Sequence, residues 1–193
     1  MTEPYITDLA FLSIQDASPE AAELLERTRK NLGSVPTMYA AMANSPGLLA
    51  TYLDGYRRFR SGSGFTPAEQ EVVFLTISRV NSCEYCMAAH SHIGEHFSKT
   101  PSHVMAAIRD DEPIPDPKLR ALAAFTRSLL DTAGRPSVAE VEAFRSAGYS
   151  EPQILEVVLA IAVKTLSNWT NHLFATPVDD TFAASAWVAP QDR

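Results

Sequence analysis

The chain has little cysteine, almost no strand signal and no surplus of positive charge, and each shortage excludes a class of protein. Two cysteines in 193 residues are too few for a disulfide scaffold. Lys and Arg number 16 against 23 Asp and Glu, and the net charge of −7 offers no basic face to nucleic acid or an anionic membrane. The longest apolar run, Ile154–Val163, contains Glu156 and falls far short of the ~20 residues a membrane span needs. Met1–Phe11 carries acids and a proline and lacks the basic start of a signal peptide. Low-complexity tracts are also missing, so disorder is expected only at the ends. What remains is an acidic, soluble, single-domain chain spanning 1–193, whose natural compartment is a reducing cytoplasm.

Proline, by contrast, is plentiful and regularly placed. Ser18-Pro19, Ser45-Pro46, Thr66-Pro67, Thr100-Pro101 and Asp116-Pro117 each pair a capping side chain with proline at the first helical position. Thr66-Pro67-Ala68-Glu69 and Ser137-Val138-Ala139-Glu140 read as capping boxes. Apolar residues then recur at helical spacing, as in Leu119, Leu122, Ala123, Leu129 and Leu130. No alternating β-branched run and no Asn-Gly or Asp-Gly turn competes with this pattern. The spacing predicts helices near 19–31, 36–43, 46–60, 67–80, 82–97, 101–109, 117–132, 138–146 and 151–170. The fold class is all-α.

Shifting the chain by 85 residues aligns Phe59-Arg60-Ser61 with Phe144-Arg145-Ser146, Pro67 with Pro152, and Glu71-Val72-Val73 with Glu156-Val157-Val158. Eight of the 24 positions 59–82 are identical in this register, and Cys83 and Cys86 fall on Asn168 and Asn171. The match fits either an internal duplication, with units near 46–97 and 138–175, or a chance alignment of two amphipathic helices with similar caps.

The chemistry concentrates in Asn81-Ser82-Cys83-Glu84-Tyr85-Cys86-Met87-Ala88-Ala89-His90. On a helix, positions 83, 86 and 90 share one face, so two thiols and an imidazole come together. Asn81 reads as the cap of a helix starting at Ser82, which places Cys83 in the first turn and Cys86 deeper. His90 is then the base for Cys86, and Glu71, twelve residues before Cys83, can orient that imidazole. Three readings stay open at this point: a redox dithiol, a zinc or iron site on Cys83, Cys86 and His90, and two inert core cysteines. A thioredoxin-like oxidoreductase is disfavoured because no βαβ pattern surrounds the motif.

Glu71 followed by Cys83-x-x-Cys86-x-x-x-His90 in an all-α chain resembles the AhpD-like branch of the carboxymuconolactone decarboxylase family, above all its peroxidase-related members. The motif covers Glu71 to His90, and the helical pattern extends the likeness over roughly residues 35–175. The resemblance implies an AhpD-like helical bundle acting as a thiol-dependent peroxidase without a cofactor. It implies that Cys86 attacks a hydroperoxide, Cys83 closes the disulfide, and His90 and Glu71 relay protons. It further implies a dithiol electron donor, such as a lipoyl-bearing protein, and a homo-oligomer of three or six copies. Best-known members carry a second histidine where this chain has Tyr85, and a phenol with a pKa near 10 is a poor base at neutral pH. The alternatives are a general dithiol–disulfide oxidoreductase and a non-catalytic metal-binding or oligomeric scaffold.

Tyr85 reads equally as a packing aromatic or a relay, and His92, His96 and His103 as surface residues. Arg57, Arg58 and Arg60 read as a solvated helix face. Asn168, Trp169, Asn171 and His172 read as a helix end packed on a subunit interface. Two further interface helices are expected. One is the run Ile154–Val163, apolar on nearly all sides, and the other is the stripe Leu49, Tyr52, Leu53, Tyr56 and Phe59.

Overall fold

The computed structural model describes residues 3–190, and all of its regular structure is helical. The α-helices are α1 (Pro19–Leu32), α2 (Thr37–Met42), α3 (Pro46–Gly62), α4 (Pro67–Val80), α5 (Glu84–Ile93), α6 (Ser102–Asp110), α7 (Pro117–Asp131), α8 (Val138–Ser146) and α9 (Glu151–Phe174). A π-turn, Gly94–Ser98, follows α5, and a 3₁₀ segment, Asp180–Ser185, follows α9.

Local chemistry sets most of these starts. Ser18 accepts from Ala21 N, Asp116 accepts from Leu119 N, and Thr66 and Ser137 close full capping boxes with Glu69 and Glu140. Ser45 makes no such side-chain bond, and α6 starts one residue late, with Pro101 rather than Thr100 at its cap.

Helix α4 is the hub. Every residue from Glu69 to Ser78 is buried, and α5, α6, α7 and α9 pack around it. The long apolar helix α9, expected at a subunit interface, buries Val157 and Val163 within the subunit while Leu155 and Val158 face outward. The aromatic stripe of α3 departs from expectation. Leu49, Tyr52 and Phe59 lie in the core of one subunit, because Tyr56 and Phe59 pack against Phe74 of α4. No described helix is long and apolar enough to cross a membrane.

The α4–α5 junction positions the motif. Ser82 N donates to Arg79 O at 3.1 Å and Cys83 N to Ser78 O at 2.9 Å, the paired bonds of a Schellman turn. Ser82 accordingly sits at φ 55°, a left-handed conformation costing about 1–2 kcal/mol for a residue with a Cβ. Asn81 therefore ends α4 instead of starting the next helix, and Cys83 is the residue that caps α5. This moves Cys83 out of the helix and puts Cys86 in its first turn, the reverse of the order expected from Asn81 as a cap.

Beyond α9 the chain turns back over α5 and α6. Ala189 N donates to Glu84 Oε1 at 2.9 Å, and Trp187 Nε1 to Arg109 O at 3.1 Å. In the 85-residue register, α9 runs unbroken through the positions matching the α4–α5 turn.

Candidate active site

Glu71, Cys83, Cys86 and His90 converge in the interior, with Glu71 and Cys83 fully buried and Cys86 and His90 nearly so. Glu71 comes from α4 and His90 from α5, and their pairing is direct: His90 Nδ1 lies 2.8 Å from Glu71 Oε2. The other carboxylate oxygen meets Arg60 Nη1 at 2.6 Å and accepts from Ser98 Oγ at 3.0 Å. Burial would raise the Glu71 carboxyl, but His90 and Arg60 outweigh it and hold it below the ordinary carboxylate range. An ionised Glu71 can only accept, so the imidazole proton sits on Nδ1 and Nε2 carries the free lone pair. Burial and the charge of Lys164 push His90 down to about 4, against the opposing pull of Glu71, so the ring is neutral at neutral pH.

The two sulfurs are distinguished by their surroundings. Burial pushes the Cys83 thiol up, and its hydrogen bond to Cys86 pushes it further. Burial also opposes ionisation of Cys86, yet the hydrogen bond from Cys83 and the positive charge of Lys164 overcome it and hold Cys86 well below the usual thiol range. The α5 N-terminus adds to this, because Cys86 lies in the first turn where the helix dipole is felt. Asn171 Nδ2 stands 3.4 Å from Cys86 Sγ and 3.7 Å from Cys83 Sγ, and Ser167 Oγ is 3.8 Å from Cys86 Sγ. Among the described residues no group of three or more His, Cys, Asp or Glu side chains is arranged to hold a metal ion.

Residues 46–128 match the carboxymuconolactone decarboxylase family. In overall shape the chain is similar to the alkylhydroperoxidase AhpD core of an uncharacterized peroxidase-related protein from Ralstonia eutropha JMP134. That match has a TM-score of 0.78 at 21% identity, covering 90% of this chain and 93% of that one. The fold is AhpD-like. A second peroxidase-related protein, from Silicibacter sp. TM1040, matches at TM-score 0.76 and 21% identity over 94% of this chain and 95% of that one. The debrominase Bmp8 in complex with 2,3,4-tribromopyrrole matches at TM-score 0.77 and 17% identity over 95% and 97%. No curated protein matches by sequence.

In this AhpD-like chain Tyr85 turns away from the Glu71–His90 pair. Its hydroxyl donates to Asp179 Oδ2, while Asp179 Oδ1 accepts from Thr37 N at 3.1 Å. Burial first, and the Asp179 carboxylate second, push the phenol up, so it stays protonated. His96 and His103 are exposed, and His92 is half-buried against His96 and Phe182.

Two surface assignments are corrected. Arg57 and Arg58 do lie in solvent, paired with Asp54, but Arg60 turns inward over Tyr56 and Phe74 to reach Glu71. Asn168 and Asn171 also face inward. Asn81 Nδ2 donates to Asn168 Oδ1 at 2.9 Å, and Asn171 covers the cysteines, leaving Trp169 as the outward residue.

Lys164, Ser167 and Ser98 were not legible as site residues. The one available signal was a lone cation in the apolar stretch Ile161-Ala162-Val163-Lys164, three residues before Ser167.

Proposed function

We propose that this chain is a cysteine-based, thiol-dependent peroxidase of the alkylhydroperoxidase type, acting on small or organic hydroperoxides through a Cys83–Cys86 redox dithiol. The observation that carries this reading is the placement of two buried sulfurs at the start of α5, Cys83 as its cap and Cys86 in its first turn, beside a Glu71-oriented imidazole.

The chemistry balances with these groups. The Cys86 thiolate attacks the distal peroxide oxygen and the O–O bond breaks, giving Cys86 sulfenic acid and an alkoxide that takes up a proton to leave as alcohol. The Cys83 thiol then displaces the sulfenic oxygen, forming the disulfide and releasing water. His90 Nε2 accepts the proton that Cys83 gives up and passes it to the departing hydroxide, which leaves as water, while Glu71 holds the ring in the tautomer that allows it. Two electrons and two protons from an external dithiol restore the pair, and a lipoyl-bearing protein is the donor the family resemblance points to. Catalysis of this kind needs no metal or cofactor and suits a reducing cytoplasm, and a homo-oligomer is the proposed assembly.

The test is thiol titration with peptide mass spectrometry before and after one equivalent of hydroperoxide. Loss of two thiols through a Cys83–Cys86 bond, with one equivalent of alcohol formed, is the expected result. Unchanged free thiols in folded protein would refute the reading.

A further inference from the structure

Lys164 is fully buried, and its electrostatic influence falls on both cysteines. Its helix face is the one that covers them: Lys164, Ser167, Asn168 and Asn171 fall at i, i+3, i+4 and i+7 of α9, and all four are buried. Nζ has no hydrogen-bond partner and lies 5.6 Å from the centroid of Phe74, whose ring sits 4.7 Å from that of His90. A cation near an aromatic face recovers only part of what burial costs an ammonium. A negative partner is therefore needed.

The groups around Cys86 leave one choice. From α4, Glu71 already spends one carboxylate oxygen on Arg60 and the other on His90. From α2 and α3, Tyr39, Tyr52 and Tyr56 are pushed up by burial and stay neutral, as does Tyr85 of α5. Cys83 is pushed up as well. His90 cannot supply the cation that ionises Cys86 at neutral pH, because its own pKa near 4 leaves it uncharged. Arg60 is already satisfied by Glu71.

We propose that Lys164 is the counter-ion of a Cys86 thiolate, a positioning residue that activates this sulfur and sets the redox poise of the dithiol. The inference rests on the reading of Cys86 as the attacking sulfur, but not on which electrophile it attacks. In the reduced protein the ammonium and the thiolate compensate one another. Oxidation joins Cys86 to Cys83, removes the anion and leaves Lys164 buried without a partner. The reduced form is thereby favoured, which makes the disulfide a stronger oxidant, since a stabilised thiolate raises the reduction potential.

The experiment compares the wild-type chain with Lys164→Met and Lys164→Arg. Methionine matches the lysine stem in volume and removes a buried charge, a change that cores commonly tolerate. Two quantities are measured: the pH dependence of Cys86 alkylation by iodoacetamide, followed by peptide mass spectrometry, and the disulfide equilibrium against a dithiothreitol buffer. Lys164→Met should slow alkylation at neutral pH at least tenfold, with the rates converging in alkali where both thiols ionise. It should also shift the equilibrium at least tenfold toward the disulfide, about 30 mV to more negative potential. Lys164→Arg, which keeps the charge, should stay nearer wild type in both. A folded Lys164→Met protein with an unchanged pH profile and unchanged equilibrium would overturn the proposal. Neither readout uses a hydroperoxide, so absence of peroxidase turnover would refute the proposed function and leave this inference standing.

Discussion

Arg60 Nη1 and Glu71 Oε1 meet at 2.6 Å across the α3–α4 hairpin, and the same carboxylate holds His90. Glu71 is completely enclosed while Arg60 keeps a fifth of its side chain in solvent (20%), so the acid depends on the pair more than the base does. Glu71→Gln should cost about 3–5 kcal/mol, the range for breaking a buried pair and stranding its partner. Arg60→Met should also destabilise, and the double variant should lose less than the two losses added. Urea unfolding in a double-mutant cycle measures this, and additivity within about 0.5 kcal/mol would show no coupling.

Cys86 should be the first sulfur alkylated at neutral pH, with Cys83 following slowly. The helix dipole contributes only about 0.3–1 kcal/mol at exposed sites, against ~1.4 kcal/mol for each pKa unit moved by neighbouring groups. In this fold both effects act on Cys86, because Cys83 is the cap and Cys86 lies in the first turn. Limiting iodoacetamide followed by peptide mapping decides the order. Preferential labelling of Cys83 would exchange the proposed roles of attacking and resolving sulfur.

Stability should fall as pH drops below about 6.5. His90 titrates near 4 in the folded chain and near 6.5 when unfolded, so the unfolded state binds more protons across that window. The neutral imidazole's contribution is complete above pH 6.5 and lost as pH falls toward 4, roughly 3 kcal/mol in total. His90→Asn, which cannot titrate there, should flatten this part of the curve. Denaturant midpoints between pH 4 and 7 provide the measurement, and parallel wild-type and variant curves would rule the effect out.

The all-α class, the helix starts and the Glu71–His90 pairing were legible because they rest on local signals: caps, prolines and helical spacing. The turn at Asn81–Cys83 was not, because Asn and Ser serve as caps at either helix end and only the Schellman bonds to Ser78 and Arg79 reveal which. Arg60 was misread for a similar reason. Its spacing from Arg57 fits an exposed face, yet a buried carboxylate eleven residues on draws it inward. Lys164, Asn171 and Asp179 reach the motif from about 80 to 95 residues away, and periodicity carries no information about such contacts. The segment after α9 was missed altogether, since it is held by backbone bonds to Arg109 and Glu84 rather than by a helical pattern.

Tyr85→Phe should lower stability by about 1.5–3 kcal/mol and leave Cys86 reactivity close to wild type. The phenol's hydrogen bond ends on Asp179, and losing a donor to a carboxylate falls in that range. Asp179 would still accept from Thr37 N and Thr37 Oγ1, so its anchoring of the C-terminal segment to α2 survives. Stopped-flow oxidation of Cys86 by hydroperoxide tests the point. A tenfold loss of rate in a folded variant would return Tyr85 to the proton relay.

The last expectation concerns assembly. Along α9, Leu155, Val158, Ala162, Trp169 and Leu173 fall on one stripe, and all five are exposed. Trp169 is 62% and Leu155 70% exposed, large values for residues whose burial would each contribute about 1.5–3 kcal/mol. The stripe runs from residue 155 to residue 173, 18 helical steps and roughly 27 Å at 1.5 Å per step, long enough for a helix-to-helix interface core. Trp is also the residue type most enriched among interface anchors. The chain of 21.1 kDa should therefore sediment and scatter light as a homo-oligomer at micromolar concentration, with Leu155→Glu combined with Trp169→Glu shifting it to monomer. Both substituted positions already face outward, so the double variant should keep the monomer fold and its helical circular dichroism. A wild-type species of 21.1 kDa that persists across a dilution series would refute the assembly.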